Sequence, residues 1–385
     1  MLGNKDYIGL DLRENFIQVA HVRSEGGMIK LVKLDKFSLV EKIKSKSSVE
    51  GDSYSDAGDV FADEQEADSI FGLEEGEDEG EEEIEGEDVK EDLSFEDLED
   101  EVEEVEEEDL MSLDMVDETE TAQSNEVLLY NIISGIDAEK VTVGLNIRAG
   151  NAIFQIIRDT DFNEVKKKDL IQDLEQKLES IYGVSKSSDY YSYEVREDGS
   201  LVLASIEDQP PLLELVDNVR EMYTGKITIN EIFPDEVSLV GMIKANYDLQ
   251  PDEITGVLQF GQKSSRIFFL KGNEIWQVSP IINEGTDNKS FLNTVFSKIL
   301  FQLDTGEVPN LDRIILANNS LGEDAVEFFQ QNFSDISVSN FTYNERSLIS
   351  EDTDRMSNSF TTSIALAWAA SGNDKRIIPR SVTRT

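Results

Sequence analysis

One stretch of the sequence cannot belong to a folded core. Between residues 50 and 120 the chain contains 36 Asp and Glu residues and a single Lys, a net charge of −35. Too few apolar side chains are present there to offset the loss of conformational entropy on folding against the repulsion between like charges. We therefore predict that residues 47–123 are an acidic disordered insertion that divides the folded part of the protein in two.

The other 314 residues carry 46 acidic and 33 basic side chains, so the extreme acidity belongs to the insertion alone. A chain of 385 residues is longer than one hydrophobic core usually organises, which predicts two domains or one fold with two lobes. Nucleic acids are held mainly by clustered Lys and Arg. Because the folded part has no basic surplus, we predict no nucleic-acid partner.

Cysteine and histidine counts exclude several kinds of chemistry. The chain has no Cys and one His, which excludes disulfides, thiolate zinc sites, thiol nucleophiles and any site that needs several imidazoles. We interpret His21 as a packed side chain on a strand. The longest apolar run, residues 127–133, is far shorter than the roughly 18 to 20 residues that span a bilayer, and no signal-peptide pattern is present. We predict a cytoplasmic protein.

A β-meander near the N-terminus returns later in the chain. Three strand-like segments lie within residues 7–37, joined by a four-residue turn and by Glu25-Gly26-Gly27, which suits a tight hairpin. The same succession of strands and turns begins again at Ile254. Aligning residues 8–11 with residues 256–259 brings the following turns and strands into register. The sequence therefore predicts a duplicated unit.

A small α/β module separates the two copies. One amphipathic helix, with Asn163 as its cap, is predicted from apolar residues at three- and four-residue intervals: Leu170, Leu174, Leu178 and Ile181. Its apolar face must cover a sheet. We assign residues 190–196 and 201–206 to that sheet, and we place two further strands, residues 140–146 and 152–158, in the same small subdomain.

The remaining elements follow from apolar spacing. Helices are predicted at residues 126–136, 212–223, 235–246, 291–303, 324–332 and 361–370, and strands at 226–232 and 311–317. The resulting division is residues 1–46 and 209–253 for the first lobe, 124–139 for a linker helix, 140–208 for the small subdomain, 254–372 for the second lobe and its closing helix, and 373–385 for a basic tail.

Two β-meanders with matching turns, a small α/β module between them and a closing strand, turn and helix resemble the actin-like superfamily of hexokinases, Hsp70 proteins, actins and the cell-division protein FtsA. Within it, the order of elements is similar to that of the PilM family of type IV pilus assembly platforms. The resemblance implies an α/β, actin-like (ribonuclease H-like) bilobed fold with a small extra α/β subdomain. The matching segments are residues 7–37, 141–206, 212–246, 254–303 and 311–370, including the closing Ile364-Ala365-Leu366-Ala367.

The resemblance also implies three turns that hold nucleotide in active members of the superfamily. The first combines a strand-terminal Asp with a glycine; here Asp11 stands at the acidic position and Arg13 at the glycine position, where its side chain projects into the path of phosphate. The third uses a Gly-Gly pair against adenosine. Here that pair is Asn318-Asn319, which tolerates left-handed backbone geometry but adds side-chain bulk.

The second turn needs an acid followed by a glycine. Gly261 is present, but the acid is replaced by Gln259, a neutral amide that supports magnesium poorly. Ser264 and Ser265 follow and are the side chains available to hydrogen-bond phosphate. The three departures together predict that ATP hydrolysis has been lost, that Mg-ATP is not a required cofactor, and that no residue has a catalytic or metal-binding role. We interpret Asp11 as a turn-capping acid and Gly261 as a requirement of backbone geometry, with the nucleotide-site interpretation as the alternative.

We therefore expect a non-catalytic scaffold of a type IV pilus or secretion-type platform, peripheral at the inner membrane. The resemblance implies that a strand edge or groove within residues 141–206 binds the cytoplasmic tail of a single-span membrane partner, and it leaves self-association open.

Two alternative functions remain. The first is a divergent ATPase or kinase that uses Asp11 and the Ser264-Ser265 turn. The second is capture of basic proteins or divalent cations by the acidic insertion. The basic tail could contact anionic lipid or the acidic insertion through Lys375, Arg376, Arg380 and Arg384. The alternative is an ordinary frayed terminus.

Overall fold

The computed structural model describes residues 5–43, 124–344, 348 and 358–373. The predicted acidic insertion and the basic tail lie outside these residues. In chain order the elements are β1 (Lys5–Leu12), β2 (Phe16–Glu25), β3 (Met28–Ser38), α1 (Asn125–Ser134), β4 (Lys140–Ile147), β5 (Ala152–Ile157), α2 (Lys167–Tyr182), β6 (Tyr191–Val195), β7 (Leu201–Ile206), α3 (Pro211–Met222), β8 (Lys226–Pro234), α4 (Asp235–Asn246), β9 (Ile254–Gln259), β10 (Arg266–Lys271), β11 (Glu274–Val278), α5 (Phe291–Asp304), β12 (Arg313–Ala317), α6 (Glu323–Asn332), β13 (Ser337–Asn340) and α7 (Thr361–Trp368).

Two five-stranded sheets share one topology. The first has the strand order β3-β2-β1-β4-β8 and the second β11-β10-β9-β12-β13. In each sheet the first three strands are an antiparallel meander, and two further strands add in parallel beside the first strand of the meander. The predicted duplication is therefore confirmed at the level of strand order.

Helices cover both sheets in layers. Helices α1 and α3 pack on the outer face of the first sheet. The first sheet and these two helices form the first lobe. Helices α5 and α6 pack on the outer face of the second sheet, which together form the second lobe. Helices α4 and α7 lie between the two inner faces and join them in one apolar core. Because side chains alternate between the two faces of a strand, each sheet contributes one set of apolar side chains to its outer core and another set to the shared inner core.

A third, antiparallel sheet with the order β5-β7-β6 forms the small domain. Helix α2 covers one face of it through Leu170, Leu174 and Leu178, as predicted from their spacing. The placement of β4 in the small subdomain is wrong: β4 pairs in parallel with β1 and β8 in the first sheet. Its side chains are buried along almost the whole strand, which is typical of a central parallel strand and not of a small edge module.

The predicted cap of α2 is also wrong. Asn163 lies in a short 3-10 turn, Phe162–Glu164, that Asp161 caps by accepting from the Asn163 backbone N–H at 3.0 Å. Helix α2 starts after Lys166, whose side chain makes no capping hydrogen bond. The apolar spacing located the helix correctly, but it did not indicate that a separate 3-10 turn precedes the helix.

Helix α7 approaches the first sheet unusually closely. Gly9 on β1 and Gly144 on β4 are directly paired neighbours, and a Cβ atom on either would overlap the backbone of α7, at Ser363 or Leu366. Only glycine fits at these two strand positions. The small side chains of α7 make the same approach from the other side, as predicted for a closely packed helix, and the whole helix is buried.

The two flanks of the insertion are joined by one side chain. Asn125, at the start of α1, accepts from the Val40 backbone N–H at 2.8 Å and donates to the Glu41 carbonyl at 2.9 Å. The chain therefore leaves and re-enters the fold at one place.

His21 on β2 is a buried side chain hydrogen-bonded to Asp6 at 2.8 Å, in agreement with its predicted packing. Within the described ranges, no helix is both long enough and apolar enough to cross a membrane.

Candidate functional site

Polar side chains collect where the strands of both sheets end, in the space between the lobes that we call the central cleft. Asp11 and Asn146 are the next-to-last residues of β1 and β4, and Asp235 directly follows β8. Because these three strands are neighbours and β4 runs parallel to both of the others, their carboxyl ends meet at one edge. That edge is where ligands bind in open α/β sheets.

Asn146 joins the two carboxylates. Its Nδ2 donates to Asp11 Oδ1 at 3.0 Å and to Asp235 Oδ1 at 2.9 Å, and its Oδ1 accepts from the Leu12 backbone N–H at 2.8 Å. Both aspartates are completely buried. The hydrogen-bond partners of Asp11 are thus side chains of a buried network, which the interpretation of Asp11 as a turn-capping acid did not include.

Arg13 fills the middle of the central cleft. Its Nη2 and Nε lie 2.6 and 3.0 Å from Asp11 Oδ2, and its Nη1 lies 3.2 Å from Asp235 Oδ2. One guanidinium thus bridges two buried carboxylates that would otherwise repel each other. The side chain projects into the cleft, where the resemblance implies that the phosphate of a nucleotide would lie.

The second lobe completes the network. Gln259, at the end of β9, donates from Nε2 to Asp235 Oδ2 at 2.8 Å. Asn318 follows β12 with a left-handed φ of 54° and donates from Nδ2 to Thr362 Oγ1 at 2.8 Å. The Thr362 backbone N–H donates back to Asn318 Oδ1 at 3.0 Å, so the start of α7 is fixed against the third turn. Gln259 Nε2 also lies 3.5 Å from Thr362 Oγ1. Four of the candidate residues therefore share one connected set of contacts: Asp11, Arg13, Gln259 and Asn318.

The second turn is closed by a neighbouring loop. The backbone N–H groups of Thr286 and Asp287 donate to the Gly261 and Gln262 carbonyls at 2.9 and 3.0 Å. Gly261 has no room for a Cβ, which would overlap the Ser264 carbonyl, so the geometric requirement predicted for this glycine is present. Ser265 Oγ accepts from the Gly261 backbone N–H at 3.3 Å. The turn is thus already hydrogen-bonded within the protein.

The two remaining candidates differ in position. Ser264 reaches the first lobe by donating to Glu14 Oε1 at 3.3 Å, which ties the first and second turns together. Asn319 contacts its own loop, donating to the Gly322 carbonyl at 2.7 Å and to Asn340 Oδ1 at 2.6 Å. Asn319 is therefore outside the cleft network.

A second ion pair joins the lobes beside the first. Arg266 on β10 has its Nε 3.2 Å from Glu236 Oε1 at the start of α4, and both side chains are buried. Arg266 Nη1 also donates to the Ala149 carbonyl at 2.7 Å, in the segment that leads into the small domain. One side chain of the second lobe thus contacts both α4 and the approach to the small domain.

Burial controls the ionisation of these groups. Burial raises the pKa of Asp11 to about 7, against the opposing charge of Arg13. Burial also raises the pKa of Glu236 to about 7, against the charge of Arg266. For Arg13, burial acts to lower the pKa, but the carboxylates of Asp11 and Asp235 outweigh it and raise the pKa. Arg13 is therefore always charged, and the cleft has a fixed internal cation.

The carboxylate oxygens of the central cleft are engaged within the protein. Every carboxylate oxygen of Asp11 and Asp235 already accepts from Arg13, Asn146 or Gln259. In the part of the chain that the structure describes, no three acidic or imidazole side chains are grouped as metal ligands. An open depression of about 580 Å³ beside the second turn is lined by two lysines and two acidic residues, so its charges balance: Lys263, Lys289, Glu284 and Asp287.

About half of the residues in this network lie outside the three turns that the sequence analysis singled out. Asn146, Asp235, Thr362, Glu236 and Arg266 lie on elements that the turn motifs do not include. The available signal was the position of Asn146 at the end of an apolar strand and of Asp235 at the start of a helix after Pro234. Which strand ends meet depends on the strand order, so the signal alone was not sufficient.

No protein-family model and no curated protein matches the sequence. Among solved structures, a chain of a PilM–PilN type IV pilus biogenesis complex superposes with a TM-score of 0.55 over 94% of this chain and 98% of that chain, at 10% identity. A Bacteroides thetaiotaomicron protein with an actin-like ATPase fold and unknown function (TM-score 0.32, 10% identity) matches 57% of this chain and 77% of its own. The apo psk41 ParM protein (TM-score 0.34, 10% identity) matches 96% and 98%. The protein therefore has the actin-like fold, in the form shared with the PilM–PilN complex.

Proposed function

We propose that this protein is a non-catalytic actin-like scaffold of a type IV pilus or secretion-type assembly platform, peripheral at the inner membrane. The observation that supports it best is the position of Arg13, whose guanidinium bridges Asp11 and Asp235 in the central cleft. In an active site of this fold, that space must receive phosphate and a metal. Here a side chain of the protein supplies the positive charge permanently.

The contacts between the lobes support the same proposal. Gln259 to Asp235, Arg266 to Glu236 and Ser264 to Glu14 all cross from one lobe to the other. These contacts hold the lobes together without a nucleotide. A scaffold benefits from such pre-organisation, because no ordering cost is left for the binding step.

We further propose that the small domain binds an extended segment from the cytoplasmic tail of a membrane protein. Strand β6 is one of the two outer strands of its sheet among the described residues. Tyr190 and Arg196 hydrogen-bond towards β7, so the backbone groups of Tyr191, Tyr193 and Val195 point to the outer edge by alternation. An unpaired strand edge accepts a peptide by backbone pairing. The structurally similar chain comes from a PilM–PilN complex, which is consistent with a protein partner for a chain of this fold.

Nucleotide binding tests the first part of the proposal. Equilibrium titration of the full chain with a fluorescent ATP analogue and Mg²⁺ is expected to give no saturable signal up to millimolar concentration. The matched variant is Arg13→Gly, which removes the internal cation and restores the glycine at the first turn. Tight, Mg²⁺-dependent binding by the unmodified chain would refute the scaffold proposal and favour the divergent ATPase.

Peptide binding tests the second part. The probe is a fluorescein-labelled peptide with the sequence of the cytoplasmic segment of a candidate partner, chosen from single-span membrane proteins encoded in the neighbouring genes. Fluorescence anisotropy is expected to show saturable binding that is lost when alternate peptide nitrogens are methylated, because methylation removes the donors that would pair with β6. Binding that is unaffected by methylation would exclude strand addition.

A further inference from the structure

Two arginines that are not part of the central cleft lie at the junction of the small domain and the second lobe. Arg158 follows β5 and Arg196 follows β6. The last residues of those strands, Ile157 and Val195, both pair with Leu201 on β7. The two arginines therefore leave the small sheet at the same end.

Arg196 is a buried cation with two unpaired nitrogen donors. Only 4% of the residue is exposed, and neither its Nε nor its Nη2 has a hydrogen-bond acceptor. None of the described carboxylates forms an ion pair with it. Burial lowers the pKa of Arg196, the carboxylate of Glu274 acts in the opposite direction, and the charge of Arg158 lowers the pKa further. A buried guanidinium in this condition is strongly unfavourable unless an anion completes the site.

Arg158 is positioned by an aromatic ring and not by an acid. Its Cζ lies 4.3 Å from the centroid of the Trp276 ring, and Nη2 donates to the Trp276 carbonyl. The described residues supply no carboxylate within ion-pair distance of it. Since a guanidinium has five N–H donors in a planar fork, most of the donors of Arg158 remain available after this contact.

The nearby carboxyl groups act on the two arginines through space, and none of those in the described residues forms an ion pair with either arginine. Asp198 accepts from the backbone N–H of Ser200 at 2.9 Å and from its Oγ at 2.5 Å. Burial raises the pKa of Glu194 to about 7, with the charge of Lys244 acting against it. Glu274 has the largest effect of the acids on the pKa of Arg196, followed by Asp198 and Glu194.

We propose that Arg196 and Arg158 form a binding site for a phosphate-class oxyanion, between the end of the small sheet and Trp276 on β11. A phosphate carries about two negative charges near neutral pH, which matches two guanidinium groups. Its oxygens accept paired N–H donors from arginine forks. A carboxylate has one charge and matches the pair less well. This site is separate from the central cleft and does not depend on the proposed scaffold function.

Thermal unfolding of the full chain tests the proposal with inorganic phosphate as the probe, at ionic strength held constant with sodium chloride. A saturable rise in Tm, half-complete at millimolar phosphate, is expected. Arg196→Met and Arg158→Met should each weaken the half-effect by about tenfold, as expected when one charge-assisted paired contact is lost. Glu274→Gln should strengthen it, because a competing negative charge is removed.

The matched control is Arg220→Met, an exposed arginine on α3 that pairs with Asp217 at 2.9 Å. This variant should respond to phosphate like the unmodified chain. Phenyl phosphate in place of phosphate distinguishes the source: a lower half-effect concentration assigns the site to an organic phosphate, and an equal one assigns it to free phosphate. The proposal would be overturned if phosphate did not raise the Tm of the unmodified chain, or if it raised the Tm of the site variant Arg158→Met by the same amount.

Discussion

Replacing Arg13 by alanine is expected to destabilise the protein by an amount set by the two carboxylates it leaves behind. In the folded protein, Arg13 lies within 2.6 Å of Asp11 and 3.2 Å of Asp235, and both acids are completely buried. Removing one partner of a buried ion pair leaves an uncompensated charge, which typically costs about 3 to 5 kcal/mol. Because two acids lose their cation here, we expect the free energy of unfolding to fall by about 4 kcal/mol at neutral pH.

The cost should depend on pH in a defined direction. Without the guanidinium, nothing opposes the burial that already raises the pKa of Asp11, so the carboxyl group binds a proton more readily in the folded variant. Proton uptake by the folded state favours folding as the pH falls. The deficit of Arg13→Ala should therefore be largest at about pH 8 and smaller at about pH 6.

Urea unfolding followed by tryptophan fluorescence measures both effects. A second variant, Arg13→Ala with Asp11→Asn, should recover part of the lost stability, because it removes one of the two buried carboxylates that have lost their cation. Arg220→Ala breaks an exposed ion pair and should cost less than about 1 kcal/mol. A cost for Arg13→Ala as small as that of the control, or one that does not change between the two pH values, would refute the argument that Arg13 neutralises the cleft.

Three further predictions concern the whole fold. Because burial raises the pKa of Asp11 and Glu236 to about 7, the free energy of unfolding of the unmodified chain should fall as the pH rises from about 5 to about 8; urea titrations that show greater stability at the higher pH would contradict this. Gly9→Ala should prevent folding or cost more than about 3 kcal/mol by circular dichroism melts, whereas Gly135→Ala, whose Cβ has space, should stay within about 1 kcal/mol. Replacing residues 47–123 by a short Gly-Ser linker should leave the Tm unchanged, because the flanks are already joined; a large drop would assign the insertion a structural role.

The sequence predicted the elements of the fold better than their pairing. Alternating side chains and turn residues placed the strands of both meanders within a few residues, for example 7–11 against Lys5–Leu12. Local patterns determine such elements directly. The pairing of β4 with β1 joins residues more than 130 positions apart, and no local pattern encodes that contact. For this reason β4 was assigned to the small domain although it lies in the first sheet.

The central cleft shows the same division. Asp11, Arg13 and Gln259 were identified because their turns can be compared with each other and with a related fold. Asn146 and Asp235 were not, because they become neighbours only when three parallel strand ends meet. The order of strands therefore contributed as much to the network as the identity of the residues. A polar residue at the end of each buried strand was the one local clue.

The close contact of α7 with Gly9 and Gly144 has a consequence for synthesis of the chain. β1 is made among the first elements, but the helix that covers its inner face follows every other described strand and helix. During translation, the glycine-lined face of the first sheet therefore stays uncovered until the elements from β1 to β13 have been made and α7 has left the ribosome. Chaperones that recognise exposed apolar strands have that whole interval in which to bind it.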